Sequence, residues 1–295
     1  MYLLKPGEFT AQARARWERF LARDHDRIAP LGRTVLRLHA TRRPQAMVLF
    51  HGLSASPTQF VRFADELYAR GHNVVVPRLP HHGRLDRISG VQARLTAAEL
   101  CETAHESIAI ARSIGDRVTV AGFSLGGLLA LWAAQHEPMQ RAVAIAPFLG
   151  VSWIPNRWMQ NIAELLLRRP NRFFWWNPIL RARQLPAHGY PRFATHALAQ
   201  TYRLARHVID DASRIAPRAS EVILVTNAKE AAVNNRAVRR LAIQMHALRG
   251  EAHIELVKLT DLPISHDIIE PLHHPLIANR VYPRLLDLID PQRIP

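Results

Sequence analysis

Seven short runs rich in β-branched and apolar residues recur along the chain, with longer stretches of helical periodicity between them. This alternation limits the possible folds more than any other feature. The runs are TVLRLHA (Thr34 to Ala40), AMVLFHG (Ala46 to Gly52), NVVVPRL (Asn73 to Leu79), RVTVAGF (Arg117 to Phe123), RAVAIAPF (Arg141 to Phe148), EVILVTN (Glu221 to Asn227) and HIELVKL (His253 to Leu259). Strands that are apolar nearly throughout are buried on both faces, and strands alternating with helices make a parallel sheet covered by those helices. The expected class is therefore α/β, with a mostly parallel central sheet flanked by helices. With 295 residues and 48% hydrophobic content, the chain can bury a large core and is not a disordered polymer.

Between the runs, Thr96 and Glu99 form a T-x-x-E capping box, followed by Leu100, Ala104, Ile108 and Ala111 at helical spacing and by Gly115 as a stop. The same reasoning predicts helices near Thr58 to Arg70, Gly127 to His136, Asn235 to Leu248 and Leu276 to Leu288. The alternation breaks between Leu149 and Pro217, far longer than the roughly 2 to 6 residues of an ordinary αβ connection. This span is read as an inserted helical cap, because Leu198, Tyr202, Ala205 and Ile209 keep helical spacing. The expected division is a helical N-terminal extension at 1–33 with Phe9, Ala13 and Trp17 on one stripe, core at 34–148, cap at 149–217 and core again at 218–295.

Thirty-nine basic against 24 acidic residues give a formal charge of +15, yet the arginines are scattered from Arg14 to Arg293 without a dense run. Net charge speaks to solubility and nonspecific association rather than to fold, and no nucleic-acid recognition motif accompanies it. No nucleic-acid partner is expected. The one cysteine, Cys101, excludes an internal disulfide and a cysteine-based zinc site, and reads as a packing residue. Charge at Lys5 and Glu8 interrupts any signal-peptide core, and no window holds 18 uninterrupted apolar residues, so a soluble cytoplasmic protein is expected.

Chemistry concentrates at VTVAGFSLGGLLALW, where Gly122-Phe123-Ser124-Leu125-Gly126 fits G-x-S-x-G between a strand and a helix. In such an elbow a strained serine holds its hydroxyl above the sheet edge, and the flanking glycines at 122 and 126 avoid collisions. A serine hydroxyl is barely acidic near neutral pH, so it needs a histidine base and an acid to orient that base. In chains with this elbow the acid and then the histidine follow the serine. Glu230 follows the strand EVILVT, and His266 follows HIELVKL; Asp261 and Asp267 are the alternative acids. The oxyanion hole is assigned to the backbone N–H groups of Leu53 and Leu125, with His51 and Gly52 supporting the loop that carries Leu53. Phe123, Trp153, Trp158 and Trp175 are candidates for an apolar substrate pocket. The adjacent pairs His81-His82 and His273-His274 do not share a helical face, and no metal or other cofactor is expected.

These residues resemble the α/β-hydrolase superfamily, and within it the monoacylglycerol lipase, lysophospholipase and small bacterial carboxylesterase branch. FHGLSASPTQF resembles that branch's HG-containing oxyanion loop, and PRLPHHGR its P-x-x-x-G-H-G segment with His81 where glycine is usual. GFSLGG and the late SHDIIEP complete the likeness, which covers Thr34 to Phe148 and Glu221 to Asp290. Aspartate is the usual residue where Glu230 falls. The resemblance implies an α/β-hydrolase fold and a serine hydrolase acting on a small-molecule ester with an apolar acyl group, through an acyl-serine intermediate. Thioesterase, amidase or carbon–carbon bond hydrolase chemistry would use the same triad, and a non-catalytic ligand-binding relative is the alternative of another class. Contact of FFWW and Arg168, Arg169 and Arg172 with an anionic membrane is a less favoured reading. No oligomeric state follows from the residues.

Overall fold

The computed structural model describes residues 11–25, 27–184 and 186–291. In chain order the elements are α1 (Ala11–Leu21), β1 (Val35–Arg37), β2 (Arg43–Phe50), α2 (Val61–Ala69), β3 (Asn73–Val76), α3 (Ala97–Ile114), β4 (Gly115–Phe123), α4 (Leu125–His136) and β5 (Met139–Ile145). Then come α5 (Met159–Arg168), β6 (Phe173–Trp175), β7 (Arg192–Ala194), α6 (Thr195–Asp211), β8 (Ala219–Asn227), α7 (Asn235–Ala247), β9 (His253–Leu259) and α8 (Pro275–Ile289). The seven expected strands form one sheet in the order β1-β3-β2-β4-β5-β8-β9. Every pairing in it is parallel except β1 with β3, so the class read from the sequence is the class observed.

Strand alternation builds two apolar layers from the same residues. Val48, Phe50, Val120, Ala142 and Ala144 face one layer with α3 and α4, while Met47, Leu49, Ala121, Val143 and Ile145 face the other with α2 and α8. Each buried Val, Leu, Ile or Phe contributes about 1.5–3 kcal/mol, so the sheet centre carries much of the stability.

Several boundaries differ from the sequence reading for physical reasons. The third strand stops at Val76, because Pro77 has no N–H to donate to a ladder. The fifth ends at Ile145, where Ala146 takes φ 43° and Pro147 follows. Thr96 and Glu99 do form the reciprocal capping box of α3. Gly115 acts differently from a simple helix stop: it opens β4 with extended backbone, and a Cβ there would lie 2.5 Å from the Ala46 nitrogen of β2.

The insertion is not wholly helical, which corrects the cap as expected. Between α5 and α6 the strands β6 and β7 pair antiparallel, Phe174 opposite Phe193 with ring centroids 6.0 Å apart. Aromatic residues favour such ribbons because their rings pack on a pleated surface. Helix α6 lies on α4 and buries Tyr202, Leu204, Ala205 and Val208 in the core layer, so the span from 149 to 217 is not uniformly set apart. At the N-terminal side, Phe9 lies outside the described residues, Trp17 packs half-buried against the core and Phe20 is buried. Among the described residues no helix is long and apolar enough to cross a membrane.

Candidate active site

Ser124 sits between the end of β4 and the start of α4, with φ 55° and ψ −110°, a conformation sparsely populated by non-glycine residues. The neighbouring backbone over-determines it: the Ser124 N–H donates to Ile145 O at 2.9 Å, and Ser124 O accepts from Leu128 and Phe148 at 2.9 and 3.0 Å. A Cβ on Gly122 would fall 2.0 Å from Gly126 O, and one on Gly126 would fall 1.9 Å from Phe50 O. Both positions therefore admit only glycine. The serine is 8% exposed at the C-terminal edge of the sheet, where open α/β sheets hold ligands.

The loops after β8 and β9 bring the other candidates to it. His266 Nε2 lies 2.9 Å from Ser124 Oγ, and His266 Nδ1 lies 2.9 Å from Glu230 Oε2. With the proton on Nδ1 directed at the carboxylate, Nε2 is left free to accept from the serine. Glu230's other oxygen, Oε1, accepts the N–H groups of Ala232 and Val233 at 2.7 and 3.3 Å. Burial alone would push the Glu230 carboxyl up, but the His266 contact and these N–H groups hold it below the ordinary carboxylate value. The alternative acids lie elsewhere. Asp261 is bound by Arg284 at 2.7 Å, and Asp267 accepts the Glu270 N–H at 3.1 Å.

Asn227, the last residue of β8, links the two loops. Fully buried, it donates through Nδ2 to Pro263 O and Ser265 O, both at 3.0 Å, and accepts the Lys229 N–H. Sequence reasoning passed over it, although a polar residue closing the apolar run EVILVT was a usable signal.

The loop after β2 is supported by two neutral histidines. His51 donates through Nδ1 to Gly52 O at 2.9 Å and accepts the Leu79 N–H on Nε2 at 3.2 Å. His82 repeats the pattern, Nδ1 to Pro80 O at 2.7 Å and Nε2 accepting from Ser54 N at 3.3 Å. Burial holds the pKa of His51 well below the ordinary histidine value and that of His82 at about 4, so neither is a base poised near neutral pH. The Gly52 N–H is taken by Gln59 Oε1 at 2.9 Å. His82 and Gln59 had drawn no role from the sequence, because no motif or period marks them and their roles come from contact with the loop after β2. His81 adopts φ 62°, a left-handed conformation that glycine takes at less cost than other residues. Leu53 is half-buried and Leu125 buried, each directly following a residue whose N–H is bonded or whose turn is fixed.

The pocket candidates differ in their surroundings. Phe123 is 3% exposed and its ring packs 5.0 Å from that of His266. Trp153 and Trp158, which precede α5, are 78% and 50% exposed, whereas Met159 and Ala163 of α5 are buried. Trp175 is half-buried on β6, with Arg192 above it. A cleft of about 360 Å³ lies between the end of α1, the loop after β3 and α3; it is lined by charged groups including Arg23, Arg84 and Glu102 and contains no member of the Ser124 constellation. Among the described residues, Glu221, His253 and Glu255 could converge on a metal ion, but they lie at the opposite edge of the sheet and Glu221 is already bound by Arg141 at 2.5 Å. Cys101 is half-buried, its thiol pushed to about 12 by burial, in keeping with a packing role.

A model of the alpha/beta hydrolase family matches residues 47–277. Among solved structures, a monoacylglycerol lipase from Paleococcus ferrophilus is similar, with 18% identity and a TM-score of 0.66 over 87% of this chain and 97% of that one. A soluble variant of the Saccharomyces cerevisiae monoglyceride lipase has 14% identity and a TM-score of 0.62, over 84% and 87% of the two chains. A structure from work on the metagenome-derived lipolytic enzymes LipS and LipT has 16% identity and a TM-score of 0.61, over 86% and 98%. No sequence among the curated proteins matches the chain. At such identities the likeness concerns the fold.

Proposed function

The chain belongs to the alpha/beta hydrolase family, and from that premise we propose that it is a serine hydrolase cleaving carboxylic esters with an apolar acyl group. One observation carries the reading: the 2.9 Å contacts of His266 with Ser124 on one side and with Glu230 on the other. His266 takes the serine proton on Nε2 as Oγ attacks the ester carbonyl, and the N–H groups of Leu53 and Leu125 receive the oxyanion. The tetrahedral adduct then collapses, His266 protonates the departing alcohol, and Ser124 is left acylated. Water, deprotonated by the same nitrogen, releases the acid. Glu230 holds the tautomer and offsets the charge on the ring while it is protonated. In this scheme the insertion between β5 and α6 is the cap that shapes the acyl site.

The test is a fluorophosphonate probe with turnover of p-nitrophenyl esters of graded chain length. One adduct on Ser124 and loss of turnover in a folded Ser124→Ala protein, by about a thousandfold or more, are expected. An adduct elsewhere, or turnover near wild type in the variant, would refute the reading. Parallel thioester and amide substrates rank the chemistries that share the triad.

A further inference from the structure

Three segments meet at a buried histidine outside the site. His188 belongs to the insertion, just before β7, and its side chain is fully buried. Its Nδ1 lies 3.0 Å from Ser56 Oγ, and its Nε2 lies 2.9 Å from Glu270 Oε2, on a side chain only 1% exposed. Ser56 is in the loop that carries Leu53, and Glu270 stands four residues after His266. The Ser56 hydroxyl donates to Leu31 O at 3.1 Å, which leaves its lone pairs to the Nδ1–H of His188 and turns Nε2 toward the carboxylate. Nε2 and Oε2 lie 2.9 Å apart, and among the described residues neither has an aligned hydrogen bond to any partner; a proton shared between them joins the two side chains. Glu270 is itself fixed in the histidine loop: Oε1 accepts the Leu272 N–H, and its own N–H donates to Asp267, both at 3.1 Å.

The strand of insertion that brings His188 there is stitched down on either side. Arg87 donates to the carbonyls of Ala182, Gln184, Pro186 and Gly189 at 2.8–3.2 Å. The Tyr190 N–H donates to Ser54 O at 2.6 Å, and its hydroxyl to His81 O at 2.8 Å. A Cβ on Gly189 would lie 2.8 Å from Ser54 O, so the strap lies directly against the loop. A buried polar group left without its partner costs about 1–3 kcal/mol, and such a link therefore resists any drift of one loop from the other. Displacements of about 1 Å at a reacting centre cost on the order of a hundredfold in rate.

We propose that His188 and Glu270 are positioning residues: through Ser56 they hold the loop bearing the Leu53 N–H in register with the loop bearing His266. They touch neither substrate nor the reacting atoms. This role rests on the ester-hydrolase reading above.

The experiment compares the full-length protein with His188→Ala, Glu270→Ala and the shape-conserving Glu270→Gln, by p-nitrophenyl butyrate kinetics and amide hydrogen exchange. Both alanine variants should lose kcat by about tenfold or more with KM within about threefold, and Glu270→Gln should recover most of the loss. In both alanine variants the amides of 52–56 and of 266–272 should exchange faster together. Unchanged kcat in an active enzyme, or faster exchange confined to 186–190, overturns the link while leaving the ester reading in place. A wild-type protein that turns over no ester and takes no adduct on Ser124 overturns the ester reading, and the positioning role with it. If an alanine variant fails to fold, Ser56→Ala removes a single hydroxyl and should show the same two-loop pattern with a kcat loss of about threefold; exchange unchanged in both loops overturns the link.

Discussion

The oxygen and nitrogen atoms at the centre of the candidate site belong to residues that the chain announces locally. Ser124 stands out by its glycines, and Glu230 and His266 by following strands in the required order. Asn227 and His82 act on segments remote in the chain, and Gln59 reaches back seven residues to Gly52; contact alone gives each its role. Glu230→Gln should lower kcat by roughly a hundredfold to ten-thousandfold, since the amide can hold the wrong tautomer; Asp261→Asn should leave it unchanged, and steady-state kinetics read both. The carboxylate's lowered pKa means that its stabilisation is present above the ordinary value, roughly 4.3, and is lost as pH falls through the lower folded value. Glu230→Gln should accordingly flatten the acid side of the unfolding curve in that window. His82 acts at higher pH. Its folded pKa of about 4 lies below the ordinary 6.5, so the unfolded chain binds the proton first and stability declines as pH drops between these values. At about 1.4 kcal/mol per pH unit the loss is on the order of 3 kcal/mol, and His51 adds to it in the same direction. Urea unfolding at pH 7, 5.5 and 4.5 measures the decline, which His82→Asn should reduce.

At the scale of elements, the elbow is a packing problem before it is a catalytic one. β4, α4 and β2 approach so closely that Gly122 and Gly126 leave no room for a methyl group. Gly126→Ala should therefore cost about 3 kcal/mol or more, through a backbone shift that also displaces Ser124. Thr96→Ala, which removes the capping bond of α3 and touches neither Ser124, Glu230 nor His266, should cost about 1 kcal/mol and lower Tm by a few degrees with activity intact. Calorimetry distinguishes the two, because only the first should also remove activity. The central strands were legible because a strand buried on both faces must be apolar throughout, and the edge strands β1 and β9 by their apolar and β-branched residues. The β6·β7 ribbon was not, since three-residue strands leave no period to read.

At the scale of the whole molecule, many arginines serve as clamps on backbone oxygens, a role that needs no carboxylate and accords with the basic excess. Arg87 gathers four carbonyls, and Arg42 and Arg43 bind those of Arg112, Gly115 and Gly71. The insertion is divided by such contacts. Its outer part exposes Trp153, Trp176 and Ile179 to solvent, while 186–190 is stitched to the core. Limited trypsin digestion should cut first near Arg168 or Arg181, and the fragments should remain associated through α6 on gel filtration; first cuts in the core strands would contradict this division. The α/β class, the strands and the elbow were determined by the sequence alone, because hydrophobic period, glycine spacing and chain order are local properties. Which acid faces His266, how the two loops are tied together, and which face of the insertion is buried were decided by the tertiary structure, because each depends on distances between residues far apart in the chain.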